Sequence, residues 1–109
     1  MKALNTEILQ EAILRIVNKV QPEKIYLYGS HAYGIPHDSS DIDLLVIVKD
    51  SSVSIRKQAV TMYSALRGLL LPVEIKVDTR DEFERRSHWI SSIERVVAEK
   101  GRILYESTI

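Results

Sequence analysis

The sequence predicts a layered α/β or α+β domain on three observations: helix-period apolar segments alternate with short β-branched runs, one run is apolar throughout, and turn residues punctuate them. From Asn5 to Val20, the residues Ile8, Leu9, Ala12, Ile13, Ile16, Val17 and Val20 recur at three- and four-residue steps, with Asn5 or Thr6 available as a cap. Gln21-Pro22 ends that helix, because proline disfavours helical geometry in the residue before it, and Lys24 to Tyr28 reads as a strand. Gly29 to Ser40 is a polar, glycine-containing connection into Asp41 to Val48, whose apolar second half marks a central strand buried on both faces. Ser51 to Leu70 carries a second helical stripe through Ile55, Ala59, Met62, Tyr63, Leu66 and Leu70, with Gly68 weakening its last turn.

Pro72 to Asp78 is the third strand, and alternation turns Val73, Ile75 and Val77 to one face and Glu74, Lys76 and Asp78 to the other. Thr79-Arg-Asp-Glu82 matches a capping box that opens a new helix. The helical pattern runs on through Trp89, Ile90, Ile93, Val96 and Val97 to Gly101, read as a left-handed stop, and Arg102 to Glu106 adds a short edge strand. The 109 residues suit one compact domain, 1–109, with no internal repeat and no linker.

Composition narrows the function classes. Hydrophobic residues at 45% and charged residues at 28% describe a folding chain rather than a disordered one. Fifteen basic and fifteen acidic side chains cancel, so no broad positive field draws in nucleic acid, and a dedicated duplex-DNA binder is not expected. With no cysteine, any metal must take oxygen or imidazole ligands. Met1 to Val20 mixes charge with apolar residues and lacks the run of a signal peptide or membrane span, so the expected setting is cytoplasmic.

Chemistry concentrates in Gly29-Ser30, ten residues, then Asp41-Ile-Asp43. Residues two apart on a strand share a face, so Asp41 and Asp43 present two carboxylates to one point. Such a pair is costly alone and favourable around a cation. With Glu74 on a neighbouring strand, three carboxylates can hold two ions roughly 4 Å apart, the arrangement used in phosphoryl transfer. Gly29 lets the backbone approach phosphate, Ser30 can donate its amide and hydroxyl, and Ser40 belongs to a small, polar loop with room for a nucleotide. Asp78 competes with Glu74 as third carboxylate but reads as a strand-end or surface residue. His31 and His37 border the loop as candidate phosphate contacts; His88 reads as helix surface. Tyr26, Tyr28 and Trp89 read as core or partly buried packing, and Arg56-Lys57 and Arg85-Arg86 as solvated helix faces.

Gly29-Ser-His-Ala-Tyr-Gly34 with Ser40-Asp-Ile-Asp-Leu44 resembles the signature of the DNA polymerase beta-like nucleotidyltransferase superfamily, and the length is similar to its minimal nucleotidyltransferases. Pro72-Val-Glu-Ile, Asp81-Glu-Phe-Glu-Arg and Gly101-Arg-Ile-Leu-Tyr105 also resemble family segments. The resemblance implies a mixed sheet flanked by helices, with Mg²⁺ bound by Asp41, Asp43 and Glu74 and Mn²⁺ as a substitute. It implies ATP as substrate and transfer of a nucleoside monophosphate with release of pyrophosphate. It further implies a separate HEPN-domain ribonuclease toxin as partner, with this chain as antitoxin; self-association is left open. Two departures stand out: Glu74 replaces the usual aspartate, and His31 stands where arginine is common. The alternative function is a non-catalytic module that binds nucleotide or metal and neutralises a partner by masking it.

Overall fold

A computed structural model describes residues 6–34, 41–49 and 53–108. The elements run α1 (Thr6–Val20), β1 (Lys24–Tyr28), α2 (Ser30–Tyr33), β2 (Ile42–Val48), α3 (Ile55–Ala65), β3 (Val73–Thr79), α4 (Arg80–Arg86), α5 (Ile93–Lys100) and β4 (Arg102–Glu106). The strands form one four-stranded sheet in the order β3-β2-β1-β4. β1 is antiparallel to β2 and β4, while β2 and β3 are parallel. This is the mixed, helix-flanked sheet expected from the sequence, and β2 lies in its interior.

One sheet face holds the main core. Ile25, Leu27, Leu44, Val46, Ile75 and Val77 meet Leu9, Ile13 and Ile16 of α1 and Met62 of α3. The burial of Leu9, Ala12, Ile13 and Ile16 follows the helical stripe read from the sequence. Arg15 ties the two helices together by donating to the carbonyls of Ala65 and Arg67 at 3.2 and 3.3 Å, where the end of α3 leaves acceptors free. Tyr63 does not join the core; its hydroxyl accepts the Ile75 amide at 2.7 Å, which occupies a backbone donor of edge strand β3. Leu70 is 92% exposed, because α3 ends at Ala65 and the left-handed Gly68 redirects the chain before the predicted stripe is complete. The expected start of this helix at Ser51 lies outside the described residues; Ser54 caps it.

The opposite face packs Tyr26, Leu45 and Ile47 against Val97 and Phe83, with Tyr26 and Phe83 stacked at 5.6 Å. Here the long C-terminal helix of the sequence reading divides in two. Thr79 caps α4 through the Glu82 amide as the capping box predicts, but Ser87 to Ser92 turn, and Ser92 caps α5 afresh. Trp89 and Ile90 fall in that turn and are 53% and 87% exposed, so neither is a core residue. Gly101 is extended rather than left-handed (φ −67°), and what requires glycine is proximity: a Cβ there would stand 2.6 Å from the Val97 carbonyl oxygen.

Asp78 corrects the sequence reading most clearly. It is 2% exposed and sits with Glu94, itself 3% exposed, beneath the α4–α5 layer. Lys76 Nζ stands 3.7 Å from Asp78 and 3.3 Å from Glu94, and Arg86 reaches Glu94 at 3.8 Å and Glu82 at 3.0 Å. Burial and a shared hydrogen bond with Glu94 push the Asp78 carboxyl up to about 7. Glu94, although burial favours its neutral form, is held below its usual value by hydrogen bonds involving Asp78 and by Lys76. Below neutral pH Asp78 therefore holds the pair's proton while Glu94 carries the charge.

A carboxyl raised from 3.8 to about 7 in the folded state binds its proton more tightly there than in the unfolded chain. Its stabilisation is full below about pH 4 and is lost as pH rises through about 7. Denaturant titration of the wild type should thus show stability falling by about 2 kcal/mol between pH 5.5 and 8.5. Asp78→Asn should flatten this slope; a variant that keeps the full slope would assign it to other groups.

Candidate active site

The site begins where β1 ends. Gly29 adopts φ 76°, a left-handed conformation that side chains resist, and turns the chain from β1 into the single helical turn α2. A Cβ on Gly29 would overlap the Asp43 carboxylate, so the glycine is required both by backbone angle and by the aspartate lying against it. Ser30 opens α2, and the Gly29 carbonyl accepts from Ala32 and Tyr33 at 3.0 and 3.1 Å.

Strand register then assembles a row. Tyr28 of β1 pairs with Asp43 of β2, and Asp43 pairs with Glu74 of parallel β3. Cross-strand partners share a sheet face, with neighbouring strands about 4.8 Å apart, so phenol, aspartate and glutamate stand side by side. Asp41 immediately precedes β2, two residues from Asp43, and is exposed. Ile42 between them is buried in the main core, which fixes the direction of both neighbours.

The electrostatics register this crowding. The Asp43 carboxyl is raised above the ordinary aspartate range first by burial, then by the negative fields of Glu74 and Asp41, while His31 pulls it down. The Tyr28 phenol is pushed up to about 12 by burial and by Asp43 and Glu74. At neutral pH the Tyr28 phenol therefore keeps its proton and can donate a hydrogen bond. Among the described residues, no three histidine, aspartate or glutamate side chains lie close enough to enclose a metal ion as they stand.

Of the residues singled out in the sequence, Gly29, Ser30, Asp41, Asp43 and Glu74 fall at this one corner of the sheet. Ser40 and His37 lie outside the described residues. Asp78 is four residues along β3 in the buried cluster and is not the third carboxylate of the row. Tyr28, read from the sequence as core or partly buried packing, does pack against the Tyr26, Leu45, Ile47 and Val97 cluster, and it also stands beside Asp43, which the sequence reading did not anticipate. Its signal was the strand period: Lys24, Tyr26 and Tyr28 alternate onto the face that Asp43 occupies.

This fold and site define an enzyme class that moves nucleotidyl groups. The family described as polymerase beta, nucleotidyltransferase, matches residues 11–108, and the chain belongs to it. A protein of Methanocaldococcus jannaschii, provisionally named a protein adenylyltransferase, is 28% identical over 105 residues, covering 88% of this chain and 97% of that one. A crystal structure of a provisionally assigned nucleotidyltransferase from Sulfolobus solfataricus is similar with a TM-score of 0.58 and 25% identity, over 72% of this chain and 70% of that one. A chain from a crystal structure of a toxin-antitoxin with AMP-PNP shares the fold with a TM-score of 0.54 and 23% identity, over 96% of this chain and 76% of that one. Among the described residues no helix is long and apolar enough to cross a membrane.

Gly29→Ala tests the corner. Forcing a side chain into a left-handed angle costs about 1–2 kcal/mol, and displacing Asp43 adds to it. Denaturant unfolding should show at least that loss; unchanged stability would mean that Gly29 does not hold this conformation against Asp43.

Proposed function

We propose that the protein transfers AMP from ATP to a hydroxyl group of a partner protein, with Mg²⁺ held by Asp41, Asp43 and Glu74. The observation that carries the reading is the Tyr28-Asp43-Glu74 row beside left-handed Gly29, which places neighbouring carboxylates where backbone can approach phosphate. An all-oxygen, acidic donor set fits a hard divalent cation, and the repulsion that raises Asp43 is the repulsion such a cation relieves. The chemistry Mg²⁺ supplies there is neutralisation of phosphate charge and polarisation of the group in transfer. Asp41, Asp43 and Glu74 would hold the ion, with rotation of the exposed Asp41 and Glu74 side chains bringing their oxygens to it.

The residues divide the remaining work. Gly29 and Ser30 hold the triphosphate through the turn into α2, with Ser40 as a further nucleotide contact. Tyr28, protonated, donates a hydrogen bond to a carboxylate or phosphate oxygen. The acceptor oxygen attacks the α-phosphorus, the bond to the β-phosphate oxygen breaks, pyrophosphate leaves, and the acceptor proton passes to Glu74. His31, close enough to act on Asp43, takes the phosphate-side position where the superfamily commonly has arginine.

A protein acceptor is supported by the name of the Methanocaldococcus jannaschii relative and by the balance of fifteen acidic against fifteen basic residues, which offers no field for nucleic acid. The toxin-antitoxin likeness supports a toxin as that acceptor, with this chain as the antitoxin, and the superfamily resemblance points to a HEPN-type ribonuclease modified on tyrosine. The cytoplasm is the setting that such a pair and ATP require.

Incubation with α-labelled ATP, Mg²⁺ and the product of the neighbouring gene should label that protein. Asp41→Asn and Asp43→Asn should each cut transfer about 100-fold or more, since a bound metal contributes several kcal/mol to the transition state. Tight complex formation without label, unchanged in both variants, would replace catalysis with masking.

A further inference from the structure

Lys76 stands on the same face of β3 as Glu74 and Asp78, two residues from each. Same-face neighbours on a strand are about 6.6 Å apart at Cα, within reach of a lysine ammonium in either direction. A choice between two acids is thus built into the strand, and the structure shows which is taken. Lys76 Nζ lies 3.7 Å from Asp78 and 3.3 Å from Glu94, and among the described residues no ion pair joins it to Glu74.

The side chains that make this choice come from two elements and are almost fully buried, Asp78 at 2% exposure and Glu94 at 3%. Ser92 caps α5 and fixes the turn on which Glu94 sits. Arg86 approaches Glu94 from α4 at 3.8 Å, so the carboxylate is held from two sides. Glu74, by contrast, is exposed at the open end of the strand.

We propose that Asp78 and Glu94 are positioning residues that hold Lys76 away from Glu74, leaving the Glu74 carboxylate free to take a divalent cation. The proposal rests on the cation site inferred above and deepens it. Without the restraint, the nearest ammonium on the strand turns to Glu74, neutralises it internally and competes with the ion. The α4–α5 layer therefore acts on the site through one lysine, without touching substrate.

Manganese alone is a sufficient probe, because electron paramagnetic resonance reads free Mn²⁺ directly and requires no turnover. Glu94→Gln should bind Mn²⁺ about fivefold more weakly than the wild type, the upper scale of a partly exposed ion pair between Lys76 and Glu74 that the cation must displace. Glu94→Gln with Lys76→Gln should return to within about twofold of wild type, a recovery that a merely structural role for Glu94 would not produce. Wild-type affinity in Glu94→Gln, or failure of the second substitution to restore it, overturns the proposal while leaving the cation site standing. No Mn²⁺ binding by the wild type overturns the site and the proposal together. Should Glu94→Gln fail to fold, Lys76→Gln alone decides: unchanged or tighter binding supports the restraint, and weaker binding overturns it.

Discussion

The interaction on which the site depends is the mutual repulsion of carboxylates placed side by side by strand register. Asp43 is paired with Glu74 on one side and follows Asp41 by two residues, so relief within the strand would require moving β2, whose other face is packed into the main core. Gly29 closes the remaining direction by lying against the Asp43 side chain. Asp43 is thus held in place by register, core packing and Gly29. Such preorganisation costs stability locally and is sustained by the apolar burial around it.

The same sheet face solves the same problem differently one and two rows away. Moving along β2 from the site, Asp43 is followed on that face by Leu45 and Ile47, which pack with Tyr26, Val97 and Phe83. On β3 the corresponding positions are Lys76 and Asp78, and there opposite charges and a retained proton neutralise one another under α4 and α5. Acid is neutralised where the helices cover it, and where the face opens Asp43 and Glu74 stand side by side, with His31 acting on Asp43. The face is therefore divided into a structural half and a reactive half along three parallel steps of β-register.

Most of the fold was legible because period and punctuation agreed. The α1 stripe, the apolar run of β2, the alternation of β3 and the cap at Thr79 each have a local cause, and each of these elements starts as read, although the helix opened at Thr79 ends early. The failures are tertiary. Trp89 and Ile90 fit a helical repeat, yet the Ser92 cap restarts the helix and leaves them exposed. Asp78 carries no local mark of burial, because what buries it is Glu94, sixteen positions on. Glycines show the same contrast: Gly29 was legible from its place at a strand end, whereas Gly101 answers to the Val97 carbonyl, a contact no spacing reveals. At the site, the period of two placed Asp43 and Glu74 on their strands' faces, and register, invisible in one sequence, brought Tyr28 beside them.

The central claim is that this acidic row is a cation and triphosphate site. Crystals grown with Mn²⁺ and a non-hydrolysable ATP analogue test it most directly, through anomalous scattering from the metal. The account predicts anomalous density in bonding contact with the Asp43 and Glu74 carboxylates, with the phosphates lying toward Gly29 and Ser30. Density elsewhere on the molecule, or analogue bound with the row still unliganded, would contradict it.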